Sequence, residues 1–411
     1  MVRNGLLAIF FCMLYMRAYA FSLGIENISP AFLKAFHPNI GLSYRVGLIA
    51  NQTARDSIGN RTIDCLIAHG FRIVYILAPE HGFDGSIPAG IPIFNQVDVK
   101  TGVPIVSIYG AGGDLTTAGK QISDYIMRQI DVLFYDIQDS GMRHYTYIST
   151  LLCALEAAAK YKKPLIVFDR PNLLGHIMEG PLVEPGLKSF ISLLPIPLRH
   201  GMTVGELALY CNACVLEKPA KLKIIKLTNY RRTEKPQFLA PLSPNLVSYE
   251  AVLGYSFLGL LGEVEPFEVG VGTPDAFQVI MLPDSIHFPL FEWCIVQKIL
   301  RNYGINSAHY TFLNRKNKPC SGLKLRFNLP IQKAFILLLE LLKFFAQKGI
   351  PLKLSNLFDK AIGTSLIRDY LQKKCDIKTI KDTVNAQLTQ FYNKVRPHLL
   401  YSPYPSVHFY K

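Results

Sequence analysis

Four stretches of this 411-residue chain set carboxylates, amides and a cation at the ends of apolar runs. They are Asn51-Gln52-Thr53, Pro79-Glu80-His81-Gly82, Asp136-Ile137-Gln138-Asp139 and Asp169-Arg170-Pro171-Asn172. Side chains of these types suit a saccharide. Its hydroxyls need paired donors and acceptors, and its apolar face stacks on rings such as Phe83, Tyr145 and Tyr147. Glycosidic cleavage uses two carboxyl groups, one protonated and one ionised at working pH. Burial or a second carboxylate can raise the pKa of the acid enough to keep its proton. Glu80 and Asp136 each end an apolar run and are expected to face each other across a cleft as the catalytic pair, with Asp139 the alternative second acid. Asn51, Gln52, His81, Gln138, Asp139, Arg170 and Asn172 stand beside them as candidates for binding.

Other chemistries lack their signatures. In "YGAGGDL" Gly110 and Gly112 start a dinucleotide-type loop, but Leu115 occupies the third glycine position. Neither a phosphate-loop motif nor a G-x-S-x-G nucleophile elbow occurs. None of the ten histidines falls at H-x-x-x-H spacing, so neither a metal nor a cofactor is expected. His144 and His200 read as hydrogen-bonding site or core residues. Cys211 and Cys214 form a single C-x-x-C within a helical pattern and read as two small helix residues.

The elements that must carry these residues are legible as alternation. "RVGLIA", "RIVYIL", "VPIVSIY", "DVLFYD", "PLIVFD" and "KLKIIKL" are short β-rich runs, mainly apolar, and helical patterns separate them. Repeated strand–helix units with continuous apolar strands predict an open, doubly wound α/β domain with a parallel sheet covered on both faces. In such sheets ligands bind beyond the carboxyl ends of the strands, where the four polar stretches lie. The alternation stops at "EKPQFLAPLSPNL", which predicts a boundary near residue 235. The expected domains are residues 21–235 and a smaller α+β domain over 236–411. In the latter, "GLKLRFNL" reads as a strand, and helices are expected over 332–347, 363–374 and 379–394.

Residues 1–20 have the order of a secretory leader: Arg3, an apolar stretch from Gly5 to Met16, and Ala18-Tyr19-Ala20 as a small-x-small cleavage site. Export to the periplasm or beyond is the expectation. The formal net charge is +14, and residues 301–411 hold nineteen Lys and Arg against five Asp and Glu. A leader argues against nucleic acid as the partner. An anionic envelope polymer or membrane surface fits the basic C-terminal domain, and a solvated basic face is the plain alternative.

At these residues the sequence resembles the NamZ-type exo-β-N-acetylmuramidases. "VGLIANQT", "LAPEHGFDG", "YDIQDSGMRHYTYIST", "FDRPNLLG", "EGPLVEP" and "PLRHGMTVGELA" follow in the family's order, and the likeness continues through "APLSPNL", "KPCSGLKLRF" and "VRPHLLY". The resemblance implies a Rossmann-like N-terminal domain, a smaller C-terminal domain, and a site in the cleft between them. It implies release of N-acetylmuramic acid from non-reducing ends of peptidoglycan fragments, with no metal or nucleotide. It places the family's glutamate on Glu80, and its binding residues on Arg143, Tyr145, Tyr147, Glu179, Arg199 and His200 as well as those above. Muramic acid carries a lactyl carboxylate, for which Arg143, Arg170 and Arg199 are the candidate cations; the alternative for each is a structural ion pair.

Two departures accompany the resemblance. Asp84 replaces a residue that is usually basic in the family. Residues 255–275 lack the family's Glu-Gly-Arg-Gly-Thr segment in a shortened loop that keeps Pro266-Phe267-Glu268, with Glu268 as a further binding candidate. That loop is expected to line the cleft. Its change makes a non-catalytic muropeptide- or glycan-binding descendant the alternative to a glycosidase.

Overall fold

The structure, a computed structural model, describes residues 21–36, 44–88, 90–109, 121–407 and 409–410. The expected leader and the glycine-rich segment beginning at Gly110 lie outside the described residues.

All six apolar runs form strands: β1 (Arg45–Ala50), β2 (Arg72–Ala78), β4 (Pro104–Ser107), β5 (Val132–Asp136), β6 (Leu165–Phe168) and β8 (Leu222–Ile225). With the short β3 (Gln96–Val97) at one edge they make a seven-stranded sheet in the order β3-β4-β2-β1-β5-β6-β8. The ladders are parallel except for β3 against β4. With β3 set aside, the order runs third, second, first, fourth, fifth, sixth. The direction of winding therefore reverses between β1 and β5, the Rossmann arrangement.

The central strands are mainly apolar because both faces of the sheet are covered. Val46, Leu48, Phe134 and Phe168 pack into one layer with Leu23, Ile25 and Phe32 from the N-terminal segment. Ile49, Leu133, Tyr135, Leu165 and Val167 face the other layer, under the helices Tyr147–Tyr161 and Val204–Cys214. Cys211 and Cys214 lie one turn apart on the second of these helices as free thiols.

The second half begins with the helix Tyr249–Leu261 and continues as a smaller domain of separate sheets. β7 (Ile177–Met178), β9 (Val264–Glu265), β10 (Val279–Pro283), β11 (Asn306–Leu313), β12 (Pro319–Arg326), β13 (Lys353–Leu354) and β14 (Ser406–Val407) complete the strands. β10, β12 and β11 form an antiparallel sheet, β9 pairs with β13, and β14 returns to pair with β7. "AFILLLELLKFF" forms the helix Ala334–Gln347, its apolar stripe buried. Among the described residues no helix is long and apolar enough to cross a membrane.

One apolar core joins the halves: Leu133 and Tyr135 of the sheet belong to the same buried cluster as Leu258, Leu338 and Phe345. The C-terminal end also returns to the first half. The Tyr401 hydroxyl donates to Asp169 Oδ2 at 2.6 Å, and Leu400 N donates to Glu206 Oε1 at 2.6 Å.

Candidate active site

Glu80 follows the last residues of β2, where the chain turns sharply. His81 adopts φ 70° and Gly82 φ 81°. A left-handed histidine costs about 1 kcal/mol, and its Nδ1 donates to Ile87 O at 2.7 Å, which holds the turn. His81 therefore shapes the loop that presents Glu80. The Glu80 carboxylate accepts from Tyr109 Oη at 2.8 Å and from Thr146 Oγ1 at 2.6 Å. Thr146 is the N-cap residue of the helix Tyr147–Tyr161, yet its side chain makes no capping bond. It serves Glu80 instead, and so brings the carboxylate to the positive end of a 15-residue helix. Two hydroxyl donors and the helix terminus fix where the carboxylate points.

Glu80, Tyr109 and Thr146 line a cavity of about 480 Å³ whose far wall comes from the second half of the chain. That volume lies within the ~300–1,000 Å³ usual for small-molecule sites. Tyr255 and Glu263, at and just beyond the helix Tyr249–Leu261, supply a ring and a second carboxylate. Glu263 accepts from Ser355 Oγ at 2.8 Å on one oxygen, and among the described residues no side chain bonds the other. The Tyr255 phenol is pushed well above its usual range, first by burial and then by the charges of Glu80 and Glu263. One ring thus feels both carboxylates. Val269 and Val271 also line the cavity, so the 255–275 segment does form part of the cleft wall.

The other expected site residues are placed elsewhere. Asp136 is fully buried, holding Arg170 Nη2 at 2.8 Å together with Arg170 Nε and the Thr62 hydroxyl. It does not line the cavity, and the expected Glu80–Asp136 pair is corrected on that ground: its charge is matched inside the sheet edge. Asp139 accepts from Gly141 N at 2.7 Å and bonds His200 Nε2 at 3.0 Å, a buried pair also away from the cavity lining. Asn172 bonds Met202 O and Leu174 N, and Glu268 accepts from Asn314.

The three arginines expected to meet a ligand carboxylate are structural. Arg170 pairs with Asp136, and Arg199 pairs with Glu179 at 3.0 Å and donates to Ile331 O at 2.7 Å. Among the described residues Arg143 has no carboxylate partner. It donates to Pro181 O, Ile196 O and Ile362 O, each at 2.7 Å, tying the first half to the second. A fork of five N–H groups is well suited to gathering carbonyls from several segments. Asp84 is exposed and caps Ser86 at 3.0 Å, away from the cavity lining.

The remaining expected residues hold a plug. At the switch point between β1 and β5, a Rossmann fold leaves a crevice for its ligand. Here the segment 237–242 fills it. Gln52 Nε2 donates to Pro241 O and Leu242 O, and the hydroxyls of Tyr145 and Tyr147 both donate to Leu242 O. Asn51 orients Thr53, whose hydroxyl accepts from Gln138 N at 2.9 Å. What is left at this crevice among Thr53, Gln138, Arg170 and Leu242 is about 10 Å³, too little for a ligand. The open cavity lies farther along the rim, at the ends of β2 and β4.

Of the expected catalytic pair only Glu80 lines this cavity, beside Tyr109, Thr146, Tyr255 and Glu263, which the sequence did not single out. Tyr109 ends the run "VPIVSIY" and was visible as a fifth polar strand end. Tyr255 and Glu263 come from the far half, and no local pattern brings them to the rim.

His144 also lines the cavity. It is buried, lies over the Tyr255 ring with centroids 4.7 Å apart, and has no partner among the described residues for either ring nitrogen. Burial and the adjacent Arg143 guanidinium push its pKa down from 6.5 to about 3. Protonation in this folded environment is therefore penalised. Its contribution to stability is complete above pH 6.5 and is lost as pH falls toward 3. Urea unfolding of the wild type against His144→Phe should show the wild type losing about 1.4 kcal/mol per pH unit across that window relative to the variant. Parallel stability curves for the two proteins would contradict it.

The comparisons with known proteins follow this geometry. Residues 46–250 match the family model described as exo-beta-N-acetylmuramidase NamZ, N-terminal, and residues 253–401 match its C-terminal counterpart. The peptidoglycan beta-N-acetylmuramidase NamZ of Bacillus subtilis is 30% identical over 393 residues, covering 92% of this chain and 91% of that protein. A crystal structure of a DUF1343 family protein from Bacteroides fragilis superposes with a TM-score of 0.79 at 28% identity, covering 93% of this chain and 100% of the other. A second DUF1343 family protein from that organism gives 0.72 at 27% identity, covering 93% and 99%.

Proposed function

Since the chain belongs to the NamZ exo-β-N-acetylmuramidase family, whose N- and C-terminal models it matches in turn, we propose that it is an exo-acting glycoside hydrolase. Its substrate is a peptidoglycan-derived saccharide, from whose non-reducing end it releases an N-acetylmuramic acid unit. The observation that carries this reading is Glu80, held by two hydroxyls at the edge of a cavity that also contains a second carboxylate. A cavity of about 480 Å³ suits a terminal sugar better than a long run of them. Glu80 and Glu263 are the catalytic pair in this reading. Tyr109 and Thr146 fix the first and Ser355 the second, while Tyr255 offers a face to the sugar ring. Cell-wall fragments lie outside the cytoplasm, which agrees with the leader order of residues 1–20.

The test is hydrolysis of a chromogenic β-N-acetylmuramoside. Wild type should release the chromophore, and Glu263→Gln should lower kcat about 100-fold, the effect of losing a positioned acid or base. Full activity in Glu263→Gln would remove Glu263 from the pair. Saturable binding of an intact disaccharide by a wild type that never turns over would replace the hydrolase by a glycan-binding protein.

A further inference from the structure

The basic excess of residues 301–411 has no part in the Glu80 cavity, whose wall contains no Lys or Arg among the described residues. A second opening, of about 950 Å³, lies in the smaller domain. It sits between the last turns of the helix Ala334–Gln347 and the turn joining the helices Leu366–Leu371 and Ile377–Val395. It shares no lining residue with the first cavity, and Lys343, Lys373 and Lys374 line it.

All three lysines are exposed, and among the described residues none has a carboxylate partner. Neighbouring cations do: Lys348 pairs with Glu292 at 2.8 Å and Arg368 with Asp359 at 2.9 Å. The one acid lining the opening, among the described residues, is Asp376. It is spent on capping its own helix, accepting from Thr379 N and Thr379 Oγ1, both at 2.7 Å. Lys373 also holds φ 59° just past the C-cap of the helix Leu366–Leu371, a place where glycine is the usual residue. What a lysine adds there, against that backbone cost, is charge. Tyr370, Leu371 and Ile377, each half-buried, supply apolar surface between the charges. Cations around an apolar floor match sugar rings that carry anionic groups. A flat bilayer fits less well: the opening is concave, and none of its residues is an exposed large apolar side chain of the kind that anchors a protein in a membrane.

We propose that this groove is a second binding site, which takes an anionic polysaccharide chain whose units carry carboxylate or phosphate groups. The chain's repeated charges meet Lys343, Lys373 and Lys374 together, so the protein is held on the polymer while the Glu80 cavity stays open. The inference does not rest on the hydrolase reading, because no groove residue touches that cavity.

Binding of labelled oligogalacturonate, a carboxylate chain, and of a glycerol-phosphate polymer is followed by fluorescence anisotropy, with dextran as the neutral chain. Wild type should bind at least one anionic chain, the tighter of the two naming the group, and should lose it at high salt. The combined Lys343→Gln, Lys373→Gln and Lys374→Gln variant should bind about tenfold more weakly with a shallower salt dependence. Lys298→Gln, Lys316→Gln and Lys318→Gln together remove the same charge from exposed positions elsewhere in the smaller domain, and should change affinity by about twofold at most. Equal weakening by the two triple variants overturns the proposal, since binding would then follow net charge alone. Equal binding of dextran, no binding of either anionic chain, or binding only to anionic phospholipid vesicles overturns it too. If the groove triple variant does not fold, Lys373→Gly, which relieves the left-handed residue, should weaken binding about twofold; unchanged affinity there overturns the proposal. Chromogenic muramoside hydrolysis should be the same in wild type and the groove variant, so a wild type that binds the chain but hydrolyses nothing sustains this inference and removes only the hydrolase.

Discussion

Glu80→Gln is expected to lower kcat on an activated muramoside by about 10³-fold or more, with KM and melting temperature changed little. The substitution keeps the shape of the side chain and removes only its charge and its capacity to exchange a proton. Tyr109 and Thr146 can still bond an amide, because a hydroxyl both donates and accepts. The fold around the β2 turn depends on His81 and Ile87, which the change does not touch. Steady-state kinetics with a chromogenic leaving group, beside thermal unfolding of the same preparation, separates chemistry from folding. A variant that retains wild-type kcat would end the role of Glu80.

Asp136→Ala should do the opposite: cost about 3–5 kcal/mol of stability, the usual penalty for leaving one partner of a buried ion pair alone. Arg170 is almost fully buried, and its guanidinium meets Asp136 with both Nε and Nη2. Without the acid that charge keeps only the Arg55 carbonyl, at 2.9 Å. Urea unfolding gives the loss, and replacing both residues by apolar ones of similar volume should recover much of it. If Asp136→Ala instead unfolds like wild type while its kcat collapses, Asp136 belongs in the reaction after all.

These two acids show what the sequence could and could not reveal. Each ends an apolar run and is followed by polar residues, so on pattern they are equals. The strands were legible because burial on both faces leaves few polar positions in the central ones, Val132–Tyr135 and Leu165–Phe168 having no charged residue. Their lateral order was not, since pairing joins segments far apart in the chain. Whether a strand-end acid looks into a cleft or back at an arginine depends on that same lateral order. Asp136 sits at the end of β5, one strand from β6, which carries Arg170 at its end; Glu80 sits at the end of β2, beside β4 with Tyr109. Gln52, Tyr145 and Tyr147 misled in a related way. Polar groups that hold a chain segment in a crevice are the same types that hold a ligand there.

The returning C-terminal end has a consequence for how such a protein can change over generations. Tyr401 and Leu400 donate to Asp169 and Glu206, two buried acids of the first half, and the apolar core runs through both halves without a break. A half borrowed from another gene would arrive without those donors and would leave two buried acids short of partners. Recombination near residue 235 is therefore closed to this architecture. New specificity has to come by single replacements in the cavity wall, at a position such as Val271, where a side chain can be exchanged without disturbing what holds the halves together.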